Sequence, residues 1–283
     1  MKNAVLNILF ALIFLAGLCI MLYPTVSNMI NRRHQSTAIA GYEADIDKIA
    51  EKEKNKLLED AREYNNNLQS LLSKSDITKF ESNEVYKNIL NISNTGIMGV
   101  ISIDCIDVRL PIYHGTAESV LQNGAGHLAT TSLPVGGKNT HAVISAHTGL
   151  PSAKLFTDVD KLKKGDIFRI NILDEVLVYQ VDDIKVVLPE NVSSLSVVSG
   201  EDYVTLVTCT PYGVNSHRLL VRGTRIEEQI AEEEGYLVPN EAVLVDKTIL
   251  IPIVAIPLIV VYFVWITLST GKSKGTDDLK ESG

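Results

Sequence analysis

A cysteine, a histidine and an arginine stand at the ends of short apolar, β-branched runs in this sequence. Cys209 closes the run YVTLVTC and His147 closes the run HAVISAH. Arg218 lies near the start of the following run, HRLLVRGTRI. Two antiparallel strands joined by a short loop bring the end of one beside the start of the other. We therefore expect Cys209 and Arg218 to lie close together.

These three residue types together suit acyl transfer. A thiolate is the attacking form of cysteine, and a nearby imidazole or guanidinium favours the thiolate over the thiol. His147 then protonates the leaving amine, while Arg218 and backbone N–H groups stabilise the oxyanion on the scissile carbonyl. The alternatives are a buried structural cysteine, a histidine held only for structure, and an arginine that makes a surface ion pair.

Short runs between turn residues predict the strands that position this site. The runs are 97–103, 108–114, 141–147, 167–173, 175–181, 184–188, 203–209 and 217–226. Many short strands of this kind predict a closed or sandwiched antiparallel domain that is mainly β. Brief helices are expected at Glu118 to Gln122 and at Ser152 to Leu162, and Gly124 to Gly126 is interpreted as a turn.

Two uncharged apolar segments frame the chain, Ala4 to Tyr23 and Thr248 to Leu268. Each has about the 20 residues that a helix needs to cross a bilayer. Lys2 precedes the first and three lysines follow the second, which predicts cytoplasmic tails and an extracytoplasmic domain between two transmembrane helices. A cleaved signal peptide is the alternative for the first segment. Arg32 and Arg33, which follow the first segment, argue against the predicted orientation of the chain in the membrane.

Between the first span and the strands, Tyr42 to Ser73 is rich in Glu, Lys, Leu and Ala without Pro or Gly, and predicts one or two exposed helices.

The net charge of −8 without a basic cluster excludes nucleic acid as a partner. Three cysteines, of which Cys19 lies in the first span, do not form a disulfide framework. No histidine pair has metal-site spacing, so neither a metal nor another cofactor is predicted.

The motif TLVTC at 205–209, followed by an arginine nine positions later, resembles the TLxTC…R signature of sortases. The segment ISAHTGLPSAKLFTDVDKLKKGD is similar to their catalytic-histidine segment, and LPIYHGT, GAGHL, TSLPVGG and CTPYGVNSHRLLVRGTRI resemble the pilus-assembling class C branch. The resemblance implies an eight-stranded sortase-type β-barrel. It places Cys209, His147 and Arg218 at the catalytic positions, and it implies substrate contacts at Leu206 and Thr208 of the motif.

The resemblance also implies a reaction. A surface or pilin protein bearing an LPxTG-like sorting signal is cleaved through a Cys209 thioester, and a lysine of a pilin subunit resolves it as an isopeptide bond. The implied setting is the membrane lipid of a Gram-positive cell surface. The alternatives are a housekeeping sortase that joins proteins to a peptidoglycan precursor, a hydrolytic cysteine protease, and a non-catalytic membrane receptor.

These interpretations give seven predicted segments. They are a cytoplasmic tail at 1–3, a transmembrane helix at 4–23, an N-terminal helical or lid region at 24–95, the catalytic barrel at 96–226, a tether at 227–247, a second transmembrane helix at 248–268 and a cytoplasmic tail at 269–283.

One family feature is missing from this sequence. Class C sortases typically carry an N-terminal lid whose Asp-Pro-aromatic segment lies over the cysteine, but no proline occurs here between Pro24 and Pro111. The nearest candidates for lid residues are Asp76 and Phe80. No proline stands between them, so the pyrrolidine ring that fixes the backbone of such a turn is missing. We therefore expect a lid that is absent, differently anchored or mostly open.

Overall fold

The structure, a computed structural model, describes residues 2–74, 76–92 and 94–227. Among these residues, 2–25 belong to one compact unit and 26–227 to another. The predicted second span, the C-terminal tail and nearly all of the tether lie outside the described residues.

In the described residues, three α-helices precede the barrel and a fourth lies in the connection between its second and third strands. They are α1 (Lys2–Ile46), α2 (Glu51–Lys74), α3 (Glu84–Asn88) and α4 (Glu118–Leu121). The helices predicted over Tyr42 to Ser73 are confirmed as the end of α1 and nearly all of α2, but the expectation that they are exposed is wrong for one face of each, which is buried. Within the described part of the chain, Leu12–Ile46 of α1 has the length and apolar composition needed to cross a membrane.

Eight strands form a closed barrel, which confirms the predicted mainly β fold. They are β1 (Ile97–Ile103), β2 (Val108–His114), β3 (Ala125–His127), β4 (Thr140–Ser145), β5 (Ile167–Ile172), β6 (Glu175–Val187), β7 (Asp202–Thr210) and β8 (His217–Ile226). Their order around the barrel is β1-β2-β3-β4-β7-β8-β6-β5. The antiparallel expectation is wrong for two pairs, because β2 pairs with β3 and β4 pairs with β7 in parallel.

Two local predictions also differ from the structure. The two runs 175–181 and 184–188 form the single strand β6, with an irregular register between Val181 and Asp183. The glycine-rich segment interpreted as a turn forms β3, where a Cβ on Gly126 would lie 2.2 Å from the carbonyl oxygen of Gly115. This close approach of two backbones requires glycine at the strand centre.

The barrel and the two N-terminal helices share one hydrophobic core. Buried residues of α1 and α2, including Tyr42 and Leu58, belong to the same cluster as the barrel interior. The buried Tyr42 hydroxyl donates to the carbonyl of Met98 at 3.0 Å and accepts from the N–H of Leu173 at 3.2 Å. These two bonds join α1 to the barrel.

A buried histidine connects α3 to the barrel. His127 is fully buried, and its Nε2–H donates to the carbonyl of Ser132 at 2.8 Å, which leaves Nδ1 unprotonated 3.0 Å from the Tyr86 hydroxyl. The N–H of Gly115 donates to the same hydroxyl at 2.9 Å. Burial lowers the pKa of His127 to about 4, so the ring is neutral in the folded protein.

This histidine is expected to make the fold sensitive to acid. The unfolded chain binds a proton at His127 below about pH 6.5, whereas the folded chain does so only below about pH 4. The contribution of His127 is therefore fully present above pH 6.5 and is lost as the pH falls toward 4. The free energy of unfolding should drop by about 2 kcal/mol between pH 7 and pH 5 through this residue.

Urea unfolding followed by circular dichroism at the two pH values measures this loss. The variant His127→Gln has no ring that titrates. Between pH 7 and pH 5 its free energy of unfolding should therefore fall by about 2 kcal/mol less than that of the wild type. An equal pH dependence in the two proteins would show that His127 is not held neutral by the fold.

Candidate active site

Cys209 and Arg218 face each other across two neighbouring strands. Their Cα atoms are register partners in the antiparallel pair of β7 and β8, one residue from the loop that joins the strands. The structure thus confirms the closeness that connectivity predicts for these two backbones. Both residues are half-buried. The Arg218 guanidinium uses Nη1 to donate to the carbonyls of Asn215 and His217, at 3.2 and 3.1 Å.

His147 reaches the same end of the barrel along β4. Strand β4 ends at Ser145, and the N–H of Ala146 donates to the carbonyl of Val207 at 3.2 Å, continuing the parallel pairing with β7. Thr208 follows Val207 in β7, and its hydroxyl donates to the carbonyl of Ala146 at 2.8 Å. These two bonds fix the chain leading into His147 against the chain leading into Cys209.

The imidazole of His147 meets a carboxylate that the sequence did not single out. His147 Nε2 lies 3.3 Å from Glu118 Oε2, and the His147 side chain is 23% exposed. Glu118 is the first residue of α4. The backbone carbonyl of His147 accepts from the N–H of Phe156 at 3.0 Å, which closes the following loop. The short helix was predicted, but its sequence carries no signal for contact with a histidine 29 residues away.

The loop after His147 is held by the helix α1. The side chain of Asn31 donates to the carbonyl of Ser152 at 2.7 Å, and the N–H of Lys154 donates to Asn28 Oδ1 at 2.9 Å. The helix predicted from Ser152 to Leu162 is therefore wrong except for the 3-10 turn Val159–Lys161. Tertiary bonds to α1 occupy the backbone groups that a helix would have used.

The two residues predicted to bind substrate have structural contacts. Leu206 is fully buried in the core, and Thr208 is 3% exposed with its hydroxyl on the Ala146 carbonyl. Their part in substrate binding stays a prediction. In this structure Leu206 packs in the core, and the Thr208 hydroxyl bonds β7 to the residue that follows β4.

The lid candidates belong to a segment anchored by a different residue. Phe80, in the 3-10 helix Ile77–Ser82, is 2% exposed and lies in the hydrophobic core. Asp76 Oδ2 lies 3.9 Å from Lys79 Nζ. Glu81 holds the segment, because its Oε1 accepts from the N–H groups of Thr116 at 2.5 Å and Ala117 at 3.0 Å. Sequence reasoning missed Glu81, since its partners are backbone groups 35 and 36 residues away.

The barrel has one further cysteine, on the turn between its first two strands. Cys105 is exposed on the 3-10 turn Asp104–Ile106, between β1 and β2. Partial desolvation raises the pKa of its thiol, followed in importance by the charge of Asp166. Cys105 is therefore a poorer source of thiolate than its exposure suggests.

Comparison with known proteins places this geometry in a family. The sortase domain family matches residues 101–226. Sortase A of Streptococcus agalactiae serotype III is 33% identical over 120 residues, which cover 41% of this chain and 48% of that protein. The chain thus spans about half the length of this curated relative.

Solved structures match over a longer range. The crystal structure of sortase C1 from Streptococcus agalactiae is 46% identical, with a TM-score of 0.64, and the match covers 68% of this chain and 98% of that one. Sortase C from Streptococcus pneumoniae, whose structure was described for catalysis and pilin substrate specificity, is 44% identical with a TM-score of 0.61, covering 68% and 97%. The chain therefore belongs to the sortase family, and its structural neighbours are class C sortases.

Proposed function

We propose that this protein is a cysteine transpeptidase that joins pilin subunits, with Cys209, His147 and Arg218 as its catalytic residues. The observation that carries the proposal is the convergence at one barrel end. Cys209 and Arg218 are register partners on β7 and β8, and the chain into His147 is bonded to the chain into Cys209. The 44% identity to a sortase C described for pilin specificity supports the substrate class.

The first half of the reaction cleaves the sorting signal. The Cys209 thiolate attacks the carbonyl carbon of the threonine in an LPxTG-like signal, and the oxyanion that forms is stabilised by Arg218 and backbone N–H groups. The bond from this carbon to the glycine nitrogen then breaks. The His147 imidazolium gives its proton to the departing amine, which leaves a thioester on Cys209.

The second half transfers the acyl group. A lysine amine of another pilin subunit attacks the thioester carbon, the carbon–sulfur bond breaks, and an isopeptide bond forms. The neutral His147 ring takes the proton that the amine loses, so imidazolium and thiolate are both restored. No metal or organic cofactor takes part in this scheme.

The membrane anchor suits this substrate. In this proposal the apolar part of α1, which is long and apolar enough to cross a membrane, holds the enzyme at the bilayer with the barrel on the extracytoplasmic side. A sorting-signal protein is held by its own hydrophobic tail at the same membrane. Restricting both partners to one surface raises their effective concentration without any new contact.

Product analysis separates the proposed reaction from its alternatives. The purified enzyme is incubated with an LPxTG peptide and with a pilin lysine peptide, an oligoglycine or water alone as acceptor, and products are identified by mass spectrometry. Lysine isopeptide as the main product supports pilin joining. Preference for oligoglycine would favour the housekeeping reaction, and free acid in the presence of both amines would favour a protease.

A further inference from the structure

The side chain of Glu118 is 66% exposed, and each of its carboxylate oxygens has a polar neighbour. Oε1 accepts from the side-chain amide of Gln122 at 3.1 Å, one helical turn along α4, and Oε2 lies 3.3 Å from His147 Nε2. A carboxylate facing Nε2 is an acceptor only, so it favours the tautomer that carries its proton on Nε2. The other ring nitrogen, Nδ1, is then the one available to exchange a proton with the reacting groups.

We propose that Glu118 is a positioning residue for His147, and that Glu81 acts through it by holding the start of α4. This inference rests on the proposed function of His147. Neither carboxylate touches the reacting atoms in this scheme. Glu118 sets the tautomer and orientation of the ring, and Glu81 sets the place of Glu118.

Glu81 accepts hydrogen bonds from the backbone just ahead of α4. Ala117 precedes the helix and offers no side-chain cap, so the N–H groups ahead of the first turn need an outside acceptor. Glu81 Oε1 supplies it to Thr116 and Ala117. Gly115 has a φ of 79°, and a Cβ there would lie 2.0 Å from the same oxygen. The positive φ thus favours glycine at this position, and a larger residue would displace the Glu81 carboxylate from where it lies now.

The geometry joins the N-terminal region to the catalytic histidine through three short steps. Glu81 follows the buried Phe80, which fixes its segment in the core. Its carboxylate holds the backbone ahead of α4, and the first residue of α4 holds the ring of His147. The region in which other class C sortases carry a lid therefore supports the active site from outside in this protein.

Kinetics of the full-length enzyme on an LPxTG peptide test the role of Glu118. Glu118→Ala should lower kcat about tenfold, a fraction of what a general acid contributes, and leave KM within about twofold. Glu118→Gln keeps an oxygen that accepts from Nε2–H and should recover most of the loss. The matched control is Glu84→Ala, an exposed glutamate of the same region whose described ion pair is with Lys87. A kcat of Glu118→Ala equal to that of the control would overturn the proposal.

A double-mutant cycle tests whether Glu81 acts through Glu118. Glu81→Ala should lower kcat about fivefold in the wild-type background but less than about twofold when Glu118 is already alanine. Glu81→Gln, which keeps the acceptor oxygen, should stay near wild type. Equal losses in the two backgrounds would show that Glu81 acts on the fold alone and would remove it from the proposal.

Nitrogen NMR of the His147 ring separates this inference from the proposed function. With ¹⁵N-labelled histidine at alkaline pH, the ring shifts report which nitrogen carries the proton whether or not the enzyme turns over. Wild type should show mainly the Nε2–H form, and Glu118→Ala should shift the population toward Nδ1–H. An unchanged population would overturn the positioning role even in an active enzyme, whereas a wild type inactive on every sorting signal would fail the proposed function instead.

Discussion

Replacing Cys209 by alanine is expected to abolish both thioester formation and transpeptidation. The reaction has no other nucleophile at this end of the barrel in the proposed scheme, so the loss should be complete rather than partial. The fold should persist, because Cys209 is half-buried near a strand end and removal of one sulfur leaves at most a small cavity. Consumption of an LPxTG peptide measures the activity, and thermal unfolding measures the fold.

Cys105 provides the matched control for this variant. It is the other cysteine of the barrel, it is exposed between β1 and β2, and a raised pKa disfavours its thiolate. Cys105→Ala should keep nearly wild-type turnover. Residual polymer formation by Cys209→Ala, or its loss in Cys105→Ala, would contradict the assignment of the nucleophile.

Replacing Arg218 by lysine is expected to cost at least about tenfold in rate, or roughly 1.4 kcal/mol of transition-state stabilisation. Both described bonds of the guanidinium use Nη1, which bridges the carbonyls of Asn215 and His217. Nε and Nη2 of the same planar group can therefore donate to an oxyanion while Nη1 holds the loop. A lysine keeps the charge but loses this planar fork, because its three N–H groups share one nitrogen and cannot hold the loop carbonyls and an oxyanion from separate nitrogens.

The control for this substitution is Arg109→Lys on β2, where the arginine pairs with Glu43 at the surface. An exposed pair of this kind contributes little, so turnover should not change. The two variants are compared by kcat/KM on the same peptide. Wild-type turnover in Arg218→Lys would assign Arg218 to the structure of the β7–β8 loop alone.

The sequence predicted those parts of the fold that depend on local pattern. Seven of the barrel strands coincide with β-branched runs, and the short loop between β7 and β8 correctly placed Cys209 opposite Arg218. β3 was missed because its three residues include a glycine and form no apolar run. The parallel pairing of β4 with β7 depends on a connection of more than fifty residues, which no local signal describes.

The parts of the site that the sequence did not predict are contacts between distant segments. Glu118 and Glu81 are ordinary acidic residues in their local surroundings, and only the closed barrel brings them to His147 and to the start of α4. The segment from Ser152 was assigned to a helix because its composition allows one. Bonds to Asn28 and Asn31 of α1 override that preference, and they are visible only in the folded chain.

Detection of the acyl-enzyme tests whether Cys209 is the nucleophile. The enzyme is mixed with an LPxTG peptide without an amine acceptor, quenched in acid, and measured by intact mass spectrometry followed by peptide mapping. The assignment of Cys209 as the nucleophile predicts an adduct with the mass of the peptide up to its threonine, attached to Cys209 and released by hydroxylamine, as a thioester requires. Cleavage of the peptide without any adduct at Cys209, or an adduct at another residue, would contradict it.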